Sequence, residues 1–462
     1  MFIRQYDLTC LSLFSYLIGD LTTGQAVVVD PQRDISGYLA DAAEHGVTIS
    51  RVIETHVHAD FLSGHRELAA ATGALISYGS RAKLGFDFEP LADGQTLSLG
   101  DVTLEIRHTP GHTPEGISIV VRSTADAAPS AVLTGDTLFI GDVGRPDLLT
   151  ASGMSASDMA HDLYRSLHDR LLTLPDETSV YPAHGAGSAC GKHMSSATSS
   201  TIGEQRATNY ALQPMSIDAF VTVVTAGQTA TPPYFVHAVH ANRSGDQDLL
   251  DEHDVVPPLG IDAALDAVAA GAVLLDVRTP ETFASGHLIG SINVGLAGRF
   301  AEYAGDVISH GRPIVLVANE HDAHEARIRL ARIGFDDAIG AITDIDLVLV
   351  SRPDQAAAAS RLSAVEVALW ASTGNGPANV QIVDVRSPSE TEVGAVPGAI
   401  NVPVAQLVAR LGELDPSRPT VVYCAGGYRS SIAASTLRAH GFGVVADIIG
   451  GYGAWHSLNE PR

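Results

Sequence analysis

Lysine is nearly absent from this 462-residue chain, which carries only Lys83 and Lys192. Acidic residues outnumber basic ones 53 to 28, for a formal net charge of −25. Proteins that track nucleic acid concentrate cations against the phosphates, so this balance argues against a nucleic-acid partner. Cysteine is scarce as well: Cys10, Cys190 and Cys424 form an odd, sparse set. That argues against a disulfide framework and for a reducing, cytoplasmic setting. No apolar run reaches the roughly 20 residues that span a bilayer, so no membrane partner is expected. The first 20 residues are apolar but interrupted by Arg4, Gln5, Asp7 and Asp20. They lack the charged, apolar, small-residue order of a signal peptide and read as opening strands. What is present, 45% hydrophobic and 18% charged residues, is the composition of a globular protein. At roughly 150 residues per domain, the length implies about three domains.

The first 240 residues alternate β-rich runs with turns and helical stretches. AVVVD, VTLEIRH, SIVVR and AVLTG end in loops that hold His and Asp, the place where layered α/β folds put their sites. Residues 241–260 are polar, acidic and Pro-containing, and read as a linker. An internal repeat follows: LLDVRTPETFASGHLIGSINV, around Asp276, matches IVDVRSPSETEVGAVPGAINV, around Asp384. Gly290 and Gly398, like Asn293 and Asn401, keep the same offset of 108. Domains are therefore expected at residues 1–242, 259–352 and 361–462, the last two joined by the Ala-rich residues 353–363.

In the second repeat, Cys424 ends the strand-like TVVYC and opens CAGGYRS before a helical run. Gly426 and Gly427 let backbone N–H groups converge on the sulfur, Ser430 adds a hydroxyl, and the helix N-terminus adds positive potential. Arg429 supplies a permanent cation, and together these favour a thiolate in an anion cradle. The alternative, an inert buried cysteine, does not account for this order of residues. The loop, with Asp384-Val385-Arg386 and Pro397-Gly398-Ala399-Ile400-Asn401, resembles the active site of rhodanese sulfurtransferases. That resemblance covers about the last 100 residues. The six-residue loop at 424–429 matches rhodaneses, whereas related dual-specificity phosphatases use seven. It implies that Cys424 carries sulfane sulfur as a persulfide. The first repeat has Val317-Ala318-Asn319 at this point and no cysteine, so it is expected to be structural or a surface for self-association.

Four elements of the first 240 residues carry metal-ligand types: THVHAD at 55–60, GHTPEG around His112, TGD ending at Asp136, and YPAHG with His184. Together they resemble a metallo-β-lactamase-type αββα domain over residues 1–240. The commoner pattern there is HxHxDH, but Phe61 replaces the last histidine and offers no donor atom. A single metal is then the better expectation, held by His56, His112 and Asp136, a two-histidine, one-carboxylate set suited to Fe(II). This resembles the persulfide dioxygenase branch, as does DTLFIGDVGRPD from Asp136. On that reading His58, Asp60 and His184 orient the ligands or handle protons. Zinc on His56, His58 and His112 is the rival assignment. Arg145 is a candidate clamp for a carboxylate of the thiol carrier, or else part of a surface ion pair. Cys190, six residues after His184, either carries substrate sulfur or packs, whereas Cys10 reads as core.

The resemblance thus implies an α/β chain: an αββα sandwich followed by two rhodanese-like domains. It implies one Fe(II) that oxidises a low-molecular-weight persulfide of glutathione, coenzyme A or an equivalent with O₂ to sulfite. It also implies a Cys424 persulfide that makes or uses thiosulfate. The competing expectation is a zinc thioester hydrolase resembling glyoxalase II, fused to a sulfurtransferase.

Overall fold

A computed structural model describes residues 1–150, 153–228, 230–373, 376–377 and 379–459. The last three positions of the expected third domain, 460–462, lie outside the described residues. The chain divides into two compact units, Met1–Thr231 with Phe235–Glu252, and Pro232–Tyr234 with His253–Arg462.

The first unit is built on two six-stranded sheets. One contains β1 (Phe2–Leu8), β2 (Leu13–Asp20), β3 (Gln25–Val29), β4 (Thr48–Ile53), β5 (Leu75–Gly79) and β6 (Glu89–Leu91), in that order. The other contains β7 (Thr96–Leu99), β8 (Val102–His108), β9 (Ile117–Arg122), β10 (Ala131–Gly135), β11 (Ser179–Pro182) and β12 (Ser200–Thr201). Alternate side chains explain why the strand sequences read as unbroken apolar runs. Val27 and Val29 join Ile119, Val121 and Leu133 in the core between the sheets. Their neighbours Ala26 and Val28 face outward, onto Tyr38 of the helix Ser36–His45 and Leu68 of the helix His65–Thr72. On the far side, Val120 and Val132 pack with Leu163 and Phe220, from the helices Ala156–Arg165 and Ile217–Thr225. The result is the expected order of helix, sheet, sheet, helix, with loops at strand ends to carry the site.

The stretch expected as a linker is strapped to this unit as far as Glu252. Arg33 donates to the Asp248 carbonyl, Leu250 N–H donates to Glu67, and Ser36 donates twice to Glu252. Its acidity and polarity serve these bonds, which is why composition alone misreads it as free chain.

In the second unit the two repeats fold alike. The first has a four-stranded sheet of β13 (Val273–Asp276), β15 (Ile292–Asn293), β16 (Ile314–Val317) and β17 (Ala338–Ile342), in the order β15-β13-β16-β17. A small pair, β14 (His287–Leu288) with β18 (Ala356–Ala357), stands beside it. The second has β19 (Ser360–Leu362), β20 (Gln381–Asp384), β21 (Ile400–Asn401), β22 (Thr420–Tyr423) and β23 (Val445–Ile448), in the order β19-β23-β22-β20-β21. The conserved spacing of the repeat has a physical basis. Asp276 binds Arg278 two positions on, and Asp384 binds Arg386 in the same way. Asn293 Nδ2 donates to the carbonyls of Asp276 and Arg278, and Asn401 Nδ2 to those of Asp384 and Arg386. Each Asp–Arg pair and Asn clamps the loop after the first central strand.

Candidate metal centre and cysteine loop

Thr55, at the end of β4, is the hinge of the first site. Its N–H and hydroxyl both donate to Asp30, at 2.7 and 2.8 Å. With the hydroxyl proton used there, His56 Nδ1–H donates to Thr55 Oγ1 at 3.0 Å. His112 Nδ1 likewise donates to the Arg145 carbonyl at 2.9 Å. Each bond leaves the opposite ring nitrogen, Nε2, with a lone pair. Those nitrogens stand 3.8 and 3.3 Å from Asp136 Oδ2, which among the described residues has no hydrogen-bond partner.

His56, His112 and Asp136 therefore converge, with ligand atoms all within 4.8 Å of one another. Burial, with the neighbouring histidines, holds His56 well below the usual imidazole range, and burial carries His112 down to about 4. Both rings are neutral at pH 7, as metal ligation requires. Burial and the nearby Asp60 push Asp136 well above the ordinary carboxylate range. A cation between these three groups would reverse that penalty, so the donor set fits a metal ion.

A second buried cluster lies alongside: Asp60, His184 and Cys190, again within 4.8 Å. His184 Nδ1 donates to Asp136 Oδ1 at 3.3 Å, and its Nε2 stands 2.8 Å from Asp60 Oδ2. Burial holds His184 well below its usual range and, with Asp60 and Asp136, raises the Cys190 thiol. The donor missing at Phe61 is thus matched by a sulfur from a distant loop. Phe61 packs its ring on His58, with centroids 4.4 Å apart.

His58 itself turns the other way, with Nε2 3.1 Å from Asp30 and 3.3 Å from Glu54. Burial opposes a charge there, but the two carboxylates outweigh it and hold the ring well above its usual range. Among the described residues it groups with Asp30 and Glu54 and not with His56 and His112, the arrangement the zinc alternative calls for. Of the two readings of Arg145, clamp or ion pair, the structure shows an ion pair, though a buried one rather than one at the surface. Its guanidinium is buried and bound bidentately to Asp147, at 2.8 and 2.7 Å, so it is not open to a substrate carboxylate. Its backbone carbonyl instead orients His112. Cys10 is buried, as expected of core.

Two supporting residues were not among the candidates. Asn242, from the helix Phe235–Ser244, accepts from Ser63 N–H and donates to the carbonyls of His58 and Phe61. Glu115 accepts from Val57 N–H at 3.1 Å. A lone polar residue inside a helix and the Glu of GHTPEG were the available signals, and both are faint.

In the second unit Cys424 is buried at the end of β22. Gly427 N–H donates to its sulfur at 3.0 Å, and Ser430 Oγ stands 3.6 Å away. Gly427 has φ +108°, a backbone region that glycine occupies readily, and it caps the helix Tyr428–Ala439. A Cβ on Gly426 would meet nothing within 4 Å. Among the described residues one amide, rather than a ring of them, is aimed at the sulfur. Arg429 is bound on both sides by Glu390, at 2.7 Å each, and exerts its charge on Cys424 from there.

Residues 8–184 match the metallo-beta-lactamase superfamily, and residues 261–342 and 368–458 match the rhodanese-like domain. The chain is 31% identical over 233 residues to the persulfide dioxygenases ETHE1 of Bos taurus and Homo sapiens. That covers 50% of this chain and 82% of each relative. It is 33% identical over 204 residues to a probable metallo-hydrolase of Burkholderia pseudomallei, covering 37% of this chain and 67% of that one. A crystal structure of a metallo-beta-lactamase from Staphylococcus aureus superposes with a TM-score of 0.67 at 32% identity. It covers 74% of this chain and 98% of its own. Among the described residues no helix is long and apolar enough to cross a membrane.

Proposed function

From a chain that belongs to the metallo-β-lactamase superfamily, homologous in its first half to persulfide dioxygenase and followed by two rhodanese-like domains, we propose that the two sites act in sequence on sulfur. The first oxidises a low-molecular-weight thiol persulfide with O₂ and water, giving the thiol, sulfite and two protons. The second carries sulfane sulfur on Cys424. Sulfite attacks the outer sulfur of the Cys424 persulfide, the S–S bond breaks, and thiosulfate leaves with the Cys424 thiolate restored. The same step run backwards would load Cys424 from thiosulfate. Glutathione or coenzyme A is the carrier class in view, and the compartment in view is the cytoplasm.

The observation that carries this reading is the triad of two neutral imidazoles and one carboxylate, His56, His112 and Asp136. These would hold Fe(II), which when bound supplies the redox chemistry that lets O₂ react with a persulfide sulfur. Thr55 and the Arg145 carbonyl fix the two rings with Nε2 inward. The pair His184 and Asp60, next to Asp136, would hold or release a proton for the reacting sulfur. Around Cys424, the Gly427 amide supports charge on sulfur, and the partly exposed Arg429, paired with Glu390, would add positive charge to an incoming sulfite through the face that Glu390 leaves open. A second reading, a zinc thioester hydrolase, is favoured by Asp60, His184 and Cys190, a donor set suited to zinc next to Asp136.

Metal content and oxygen uptake on glutathione persulfide separate the two. One iron per chain with oxygen consumed and sulfite formed is expected. Zinc without oxygen uptake, together with thioester hydrolysis, would overturn the dioxygenase reading. Cys424→Ser should abolish thiosulfate formation while oxygen uptake continues.

A further inference from the structure

The repeat without a cysteine keeps a crevice at the C-terminal ends of β13 and its neighbours, a cavity of about 320 Å³. Arg278, Thr279, Leu296 and Asp322 line it, and so does Tyr428 from the other repeat. Tyr428 belongs to the cysteine loop and opens the helix Tyr428–Ala439. Its hydroxyl donates to the Gly295 carbonyl at 2.5 Å. A Cβ on Gly295 would stand 3.4 Å from the Tyr428 ring, already in contact with it, so a longer side chain there would press into the ring's seat. Tyr303 closes over the ring edge-on, with centroids 5.6 Å apart.

The next turns of the same helix are fastened to the same strand. Ser431 Oγ donates to Asn293 Oδ1 at 2.8 Å, and Asn293 N–H donates to Ser435 Oγ at 2.9 Å. Asn293, Ser431 and Ser435 are all buried. Asn293 thus does more than Asn401, its counterpart: both clamp their own loop, and Asn293 also grips the neighbouring repeat. The helix held in this way begins at Gly427, whose N–H is aimed at the Cys424 sulfur.

We propose that the cysteine-less repeat is the positioning partner of Cys424. Tyr428, seated against Gly295, and the Asn293 contacts to Ser431 and Ser435 fix the helix that aims the Gly427 amide at the sulfur. This rests on the reading of Cys424 as a sulfur carrier and gives the silent repeat a task within it. Hydrogen bonds weaken steeply with misalignment, and a misplacement of about 1 Å costs catalysis up to roughly 100-fold.

The test uses the full chain, with thiosulfate as sulfur donor and cyanide as acceptor, and reads thiocyanate formed. Tyr428→Ala and Gly295→Leu, which empties or fills the seat, should each lower kcat by about 10-fold or more. KM for thiosulfate should stay within about twofold, because the Tyr428 hydroxyl is engaged by the Gly295 carbonyl and the proposed task is positioning rather than donor binding. Tyr428→Phe keeps the ring without the hydroxyl and should fall between these variants and wild type. The proposal is overturned if Tyr428→Ala and Gly295→Leu, with wild-type melting curves, keep wild-type kcat, or if they change only KM. A wild-type chain that makes no thiocyanate removes the sulfur-carrier reading itself, and this proposal with it.

Discussion

Asn242→Ala should loosen the metal-site loop although Asn242 is no ligand. Asn242 is fully buried and makes three hydrogen bonds, from Ser63 N–H at 3.0 Å and to the carbonyls of His58 and Phe61 at 2.9 and 2.8 Å. At a net worth of about 1 kcal/mol each, with a buried N–H left unpaired, the loss comes to about 3 kcal/mol. At about 1.4 kcal/mol per factor of ten, the opening equilibrium of the loop rises roughly 100-fold. Hydrogen exchange on the full chain reads this directly, because the Ser63 amide loses its partner. Its protection should fall by about that factor, and the metal retained through dialysis should fall with it. Asn242→Asp sharpens the test. The carboxylate can still accept from Ser63, but its second oxygen meets two carbonyl oxygens and favours the protonated acid. A folded pKa raised above an unfolded value of about 3.9 gives stability that is complete below about pH 4 and lost as pH rises through the folded value. Protection in Asn242→Asp should therefore be lower at pH 8 than at pH 5. Ser63 protection and metal retention within about twofold of wild type in Asn242→Ala would refute the reasoning.

Gly144→Ala should cost about 2 kcal/mol or more, since its Cβ would lie 1.9 Å from the Asp136 carbonyl oxygen and 3.1 Å from His112 Cβ. Metal content and thermal melting check this, and wild-type values in both would refute it. Glu390 gives a pH signature in the second unit. Burial opposes its charge, but Arg429 and the Ser387 N–H outweigh that and bring it from an ordinary 4.5 to about 2. The stabilisation is present above pH 4.5 and lost as pH falls toward 2. With Glu390 about a third exposed, the pair is worth roughly 1 kcal/mol after solvent screening. Glu390→Gln should lose that much less stability than wild type over this interval in acid unfolding, and equal slopes would count against the ion pair.

The parts that could be read along the chain are those encoded in short windows. His56, His112 and Asp136 each follow a strand, so a motif scan finds them, and Cys424 stands between a strand and a helix start. The repeat was visible because Asp276, Arg278 and Asn293 form one clamp, with spacing set by strand and turn lengths. What required the fold was every partnership across long separations. Cys190 reaches Asp60 over 130 positions, and Asn242 reaches His58 over 184. Whether Arg145 was a clamp or half of an ion pair stayed open because nothing in GRPD says that Asp147 bends back to meet it. The acidic stretch before residue 252 looked like free chain because polar composition does not distinguish solvent from Arg33 and Glu67 as partners.

The clamp of Asp, Arg and Asn, present in both repeats, separates two kinds of inheritance. It closes the loop after the first central strand and never passes through the position where a cysteine stands or is missing. A duplicated module built this way can surrender its nucleophile while keeping its shape, because the residues that decide folding and those that perform chemistry are different residues. Once released from catalysis, the copy is free to take up new work at its surface without relearning how to fold. The same independence makes the first repeat a ready host for transplanted loops: a new sequence after β16 would be tried against a frame already closed elsewhere.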